Sequence, residues 1–168
     1  MEKSDLLKSK TKGKFLVAVC AFIINNNGEI LMTKRSGQRD HDPGAWELIS
    51  GRFNQDFSNV EDEITREIKE ELGENINIQL IAPISFYHFY RANDRNSELV
   101  GINYLCRYLG GKIKLSSEHT EYSWIEFNEA VKKAKHELLI KDLKHFIKIK
   151  DLYLDNDSQL TKVFKKSN

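Results

Sequence analysis

Several things are scarce in this chain of 168 residues, and each shortage closes off a class of protein. There are two cysteines, Cys20 and Cys106. That is too few for a disulfide framework, and neither has metal-ligand spacing. Each lies inside an apolar run, so two buried free thiols are expected. Proline occurs twice and glycine nine times, and neither is gathered into a low-complexity tract or a domain linker. No internal repeat is visible. No charge of one sign dominates: 26 Lys and Arg face 25 Asp and Glu, a net charge of +1. No global field therefore argues for a stable nucleic-acid partner or a membrane surface. An apolar run of signal or membrane length is missing from the start, where Met1 to Lys14 is polar and lysine-rich. The expected location is a reducing cytoplasm.

What is present is ordinary globular composition, 40% hydrophobic and 30% charged. The length suits one domain with a sizeable core. The expected division is a flexible N-terminal arm over 1–14, one domain over 15–154 and a C-terminal tail over 155–168. Phe15 to Ile24 is a continuous Val/Ile/Phe run that predicts a buried strand. Asn25-Asn26-Asn27-Gly28 predicts a hairpin turn, and Glu29 to Lys34 the returning strand. A polar loop follows over Arg35 to Pro43. Asn75 to Tyr90 reads as a strand broken near Pro83, and Glu98 to Tyr108 as another. Gly110-Gly111 is expected to turn the chain into a short strand, Lys112 to Leu115. An edge strand is expected over Tyr122 to Glu126. Asn128 then caps a helix with Ala130, Val131 and Ala134, and a second helix uses Leu138, Leu139, Leu143, Phe146 and Ile147.

The stretch from Gly51 to Glu74 organises the rest. Ser58 followed by Glu61 has the spacing of a capping box, and Gly73 reads as a left-handed stop. Between them Val60, Ile64, Ile68 and Leu72 recur every four residues as an apolar stripe. Glu63, Glu67, Glu70, Glu71 and Glu74 fall beside it on one flank. Like charges at these spacings each cost a helix roughly 0.2–0.5 kcal/mol. Glu70, Glu71 and Glu74 also sit near the C-terminus, where the helix dipole disfavours anions. A solvated acidic flank is the plain reading of that spacing. A divalent cation held by hard oxygen ligands, Mg²⁺ or Mn²⁺, is the functional one.

The order of residue types separates the two. Arg66-Glu67-Ile68-Lys69-Glu70-Glu71-Leu72-Gly73 resembles the second half of the Nudix box, G-x5-E-x7-R-E-U-x-E-E-x-G-U with U apolar. The first half departs: Arg52 stands at the first Gly with Gly51 one residue earlier, Ser58 stands at the upstream Glu, and Glu74 at the final apolar position. In the family that upstream Glu helps hold the box Arg and the metal site. Pro43-Gly44-Ala45-Trp46-Glu47 and Ser50-Gly51 also resemble the stretch before the box. Ser116 to Trp124 is similar to the segment before the last helix, where some members carry a further acidic metal ligand or base. Glu118 and Glu121 match that segment.

The resemblance spans roughly 15–150. It implies an α+β fold of the Nudix type, an α/β/α sandwich with a mixed β-sheet and a loop–helix–loop site. It implies metal-dependent hydrolysis of the pyrophosphate in a nucleoside diphosphate linked to another moiety. Glu67, Glu70 and Glu71 match the metal-binding glutamates, Arg66 the bracing Arg, and Gly51 a backbone position beside the metal. Arg35, Arg39 and Arg52 are the candidates for substrate phosphate, with loop solvation as the alternative. Trp46 reads as core, and Phe86 to Tyr90 as sheet packing rather than a base-stacking platform. A nucleotide-sensing module with little or no hydrolysis is the alternative function, motivated by Arg52 and Ser58. An isomerase resembling isopentenyl-diphosphate isomerase would need a catalytic cysteine that residues 44–51 lack. Homodimerisation, common in the family, is left open, as is the substrate.

Overall fold

The computed structural model describes residues 14–38, 42–90 and 97–154. Among them seven strands and four helices build three layers around one mixed sheet. The sheet is centred on β1 (Leu16–Ile24), which pairs antiparallel with β4 (Ile49–Arg52) and parallel with β6 (Glu98–Gly111). Beyond β6 lies β5 (Ile76–Tyr90), antiparallel to it. On the other side β2 (Ile30–Arg35) pairs with β3 (Trp46–Glu47) and with β7 (His119–Ile125). The turn between β1 and β2 forms as expected: the Asn25 side chain accepts the Asn27 and Glu29 backbone N–H groups, and Gly28 has φ +78°.

Buried on both faces, β1 feeds two cores. Val19, Ala21 and Ile23 face one side with Leu31, Ile49 and the helix α1 (Val60–Leu72), which contributes Ile64, Ile68 and Leu72. Cys20, Phe22 and Ile24 face the other, beneath α2 (Phe127–Lys133) and α3 (Glu137–Ile149), with Phe127, Leu143 and Phe146. A last turn, α4 (Asp151–Leu154), closes the described chain. The α/β/α arrangement and the mixed sheet are therefore as the sequence implied. Cys20 and Cys106 are both free and buried, and burial pushes both thiols up.

Five local expectations need correction. The cap of α1 is Asn59 rather than Ser58: its Oδ1 accepts the Asp62 N–H at 2.8 Å while its Nδ2 donates to Asp62 at 2.9 Å. Glu61 instead accepts the Tyr104 hydroxyl at 3.0 Å. Gly73 does end α1, but at φ 92° and ψ 157°, a glycine-only region distinct from the left-handed helical one. The strand expected over Lys112 to Leu115 is absent, because β6 runs on through Gly111. Lys114 and Ser116 instead donate their N–H groups to the carbonyls of Leu72 and Glu71, satisfying the end of α1. Asn128 is not a cap, since α2 starts at Phe127 with no side-chain cap bond. Pro83 bends β5 without ending it: the register shifts on either side while pairing with β6 continues.

Candidate active site

The site is built on one side of α1. Heptad-like spacing puts two parallel rows on its inward surface: the apolar row Ile64, Ile68 and Leu72, and beside it Glu63, Glu67 and Glu71, all buried. Three buried carboxylates in a row demand cations or donors. Arg66 supplies the first. Its Nη2 donates to Glu63 Oε2 at 2.7 Å, to Glu67 Oε1 at 2.7 Å and to the Arg52 carbonyl at 3.0 Å, and its Nη1 to exposed Glu70 at 2.9 Å. This one guanidinium gathers the end of β4 and three acidic side chains.

The two carboxyls nearest Arg66 respond in opposite directions. The Arg66 hydrogen bond holds Glu63 below the usual carboxylate range, and the Asn54 N–H at 3.0 Å assists. Glu67 is pushed up by burial, which outweighs the same Arg66 and is reinforced by Glu70 and Glu63. Its negative charge is thus incompletely compensated by the protein alone. Glu67 also lies flat against β4: a Cβ on Gly51 would overlap its carboxyl group. Only glycine leaves that cradle open.

Glu71, the third of the row, points to the rim of the sheet. There Arg35 Nη1 binds both oxygens of Glu47, at 2.9 and 2.7 Å, and Glu47 Oε1 accepts His119 Nε2 at 3.0 Å. The far ring nitrogen, His119 Nδ1, is 4.0 Å from Glu71 Oε2. Strand register explains the convergence, since Glu47 is opposite Thr33 and His119 opposite Arg35 along β2. All of them project to the α1 side.

Of the residues expected from sequence, Arg66, Glu67, Glu70 and Gly51 are brought together, and Glu71 lies one turn on, facing His119. Glu118 adjoins the rim through its backbone, whose carbonyl accepts the Ser36 N–H at 2.8 Å. Glu121 is not part of the group: it pairs with Lys34 at 3.4 Å, on the sheet face opposite α1. Glu74, expected on the acidic flank, turns to Lys69. Arg35 is engaged with Glu47, and Arg52 lends its carbonyl to Arg66. Trp46 packs on the opposite core beneath Lys133, whose ammonium lies 4.4 Å from the ring centre. Tyr87 packs over Gly101, whereas Phe86 on the other face of β5 is 70% exposed. Arg39 and His41, the loop over 91–96, the arm over 1–13 and the tail over 155–168 lie outside the described residues.

Three roles were not identified from sequence, although Glu63 stood on the expected acidic flank. Glu63 performs the bracing role expected of the box Glu that Ser58 replaces, one helical turn before Arg66 and inside the helix. Glu47 and His119 stand 72 positions apart, and no local pattern links them.

The sequence profile of the NUDIX domain matches residues 14–146. The chain belongs to the Nudix family. The Nucleoside triphosphatase NudI of Escherichia coli K12 is 30% identical over 115 residues, covering 65% of this chain and 81% of that protein. Two solved structures share the fold. The MutT protein from Methanosarcina mazei Go1 aligns with TM-score 0.67 and 24% identity over 84% of this chain and 99% of its own. A C. elegans Ap4A hydrolase aligns with TM-score 0.63 and 18% identity over 82% and 99%. This Nudix chain is accordingly a hydrolase of the type that acts on nucleoside phosphate anhydrides, and Nudix hydrolases depend on divalent metal ions.

Among the described residues, no three acidic, histidine or cysteine side chains converge on one point as they stand. The donors nonetheless fit a hard cation. They are carboxylate oxygens, one of them under-compensated and set against the open backbone of Gly51. Glu70 is exposed and, among the described residues, pairs with Arg66 one turn away on the same helix. No helix among the described residues is long and apolar enough to cross a membrane.

Proposed function

We propose that this Nudix chain hydrolyses the pyrophosphate linkage of a nucleoside diphosphate joined to another moiety, using Mg²⁺ or Mn²⁺ held by Glu67, Glu70 and Glu71. The observation that carries the reading is the buried carboxylate row beside Gly51 on a helix with the family's Arg-Glu and Glu-Glu order. Such a row is costly unless a cation and an anionic substrate complete it. A bound divalent ion would neutralise diphosphate charge and make bound water more acidic.

The chain's own residues supply the rest. Arg66 holds Glu63 and Glu67 in place and keeps the Arg52 carbonyl, hence the end of β4, against the helix. Gly51 lets the backbone of β4 approach the Glu67 carboxyl closely. Glu71, buried as deeply as Glu67 and facing His119 at the rim, is a candidate to orient or activate water. Arg35 acts through Glu47 rather than on phosphate directly. The occupied bracing role of Glu63 favours hydrolysis over mere nucleotide sensing, since the departure at Ser58 does not leave Arg66 unheld. The buried thiols suit a reducing cytoplasm.

The test is a panel of pyrophosphate compounds, including nucleoside triphosphates, dinucleoside polyphosphates, nucleotide sugars and ADP-ribose, assayed with Mg²⁺ and Mn²⁺. Cleavage of at least one, abolished by Glu70→Gln and by Glu71→Gln in folded protein, is expected. Equal turnover in wild type and both variants would refute the assignment.

A further inference from the structure

We infer that His119 is a metal ligand: its Nδ1, together with Glu71, binds the divalent ion, and this nitrogen donor tunes the site toward Mn²⁺ rather than Mg²⁺. The inference rests on the metal-dependent reading above. It starts from a chain of contacts that ends abruptly. Arg35 grips both oxygens of Glu47, Glu47 accepts from His119 Nε2 at 3.0 Å, and beyond the ring Nδ1 has no hydrogen-bond partner among the described residues although the side chain is only 2% exposed.

An unsatisfied ring nitrogen at that depth is costly unless something else occupies it. Glu47 can only accept, so Nε2 carries the proton of that bond. In the neutral ring Nδ1 then presents a bare lone pair. Carboxylate–imidazole–metal is the arrangement by which proteins orient a ligating histidine and raise its basicity. Here the carboxylate is itself pinned by Arg35.

The direction of Nδ1 agrees. It faces Glu71 Oε2 across 4.0 Å, too far for a hydrogen bond and less than twice a typical metal–ligand distance of about 2.1 Å. One ion can therefore touch both atoms. The two donors come from different elements, the end of α1 and the start of β7, so the ion would tie β7 to the helix. Imidazole nitrogen suits transition ions better than Mg²⁺, which favours oxygen and water.

The test is pulsed electron paramagnetic resonance on the full chain loaded with Mn²⁺. Modulation from a directly bound ¹⁴N is expected, changing to the ¹⁵N pattern when the protein is grown with [¹⁵N]histidine. That labelled wild type needs no variant to fold. His119→Gln should lose the nitrogen signal, weaken Mn²⁺ about 10- to 100-fold and weaken Mg²⁺ much less. Bound Mn²⁺ that shows no nitrogen coupling, yet is lost in Glu71→Gln, would overturn the role of His119 and leave the carboxylate site standing. His119 would then merely neutralise Glu71. Mn²⁺ that does not bind, or binds equally well to Glu71→Gln, would overturn the metal site itself.

Discussion

Replacing Arg66 by Met keeps most of the aliphatic stem and removes one guanidinium from three carboxylates. The cost can be built from the contacts. The pair with exposed Glu70 is worth about 0.3–0.5 kcal/mol. The charge-assisted bonds to buried Glu63 and Glu67 are each worth about 1.5–3 kcal/mol. Breaking a buried ion pair from one side independently suggests about 3–5 kcal/mol. Glu63 keeps the Asn54 N–H, and Glu67 can take up a proton, so the lower half of that range applies. A loss of about 3–4 kcal/mol is expected, a large fraction of a domain's usual stability, with a fall in Tm on the order of 10 °C. Urea denaturation should show a lower midpoint at an unchanged slope. The site reading adds a second expectation. With the guanidinium gone, saturating Mg²⁺ should raise Tm more in the variant than in wild type, because the ion becomes the sole cation for Glu67 and Glu70. A stability loss under about 1 kcal/mol would refute the electrostatic reasoning. A Mg²⁺-induced rise no larger than that of wild type would show that these carboxyls do not meet the ion.

Gly51→Ala should drive the Glu67 carboxyl from its place or shift β4 against β1, costing about 1–3 kcal/mol by urea titration and weakening Mn²⁺ in calorimetry; unchanged affinity would remove Gly51 from the site. Asn59→Ala should cost about 1 kcal/mol and Ser58→Ala less than about 0.5 kcal/mol, whereas the reverse order would restore Ser58 as the cap. Burial raises the Asp142 carboxyl, although Asn103 donates to it at 2.8 Å. The folded state therefore holds that proton more tightly than the unfolded chain, and stability falls as pH rises from the ordinary aspartate range through the raised value. Asp142→Asn, which keeps an acceptor for Asn103, should stabilise the protein at neutral pH and lose that advantage near pH 4; a pH-independent effect would contradict the burial argument.

Much of the fold was legible because periodicity reports burial directly. The run over Phe15 to Ile24 read as a buried strand, which holds from Ala18 to Ile24, and the four-residue recurrence of Val60 to Leu72 read as a helix with one inward stripe. The box order likewise marked Arg66, Glu67, Glu70 and Glu71. What escaped were decisions settled by competition or by register. Asn59 outcompeted Ser58 because its two-headed amide satisfies Asp62 from both sides. Segment 112–116 gave up strand pairing because the carbonyls of Leu72 and Glu71 needed donors. Spacing alone put Glu63 on the same acidic flank as Glu74. Only the folded helix shows that Glu63 is buried on Arg66 while Glu74 turns out to Lys69. Glu47 and His119 meet through two pairings with β2, information that no local stretch carries. Arg35 illustrates the same limit: its ion pair with Glu47 joins two strands and is visible only in the fold.

The most direct test is anomalous diffraction at the manganese edge, from crystals holding saturating Mn²⁺ and a non-hydrolysable nucleoside diphosphate derivative. Peaks about 2 Å from oxygens of Glu67, Glu70 and Glu71, with diphosphate oxygens on the far side, are the expected result. Arg66 still clasping Glu67 and Glu70, with manganese found nowhere along α1, would contradict it.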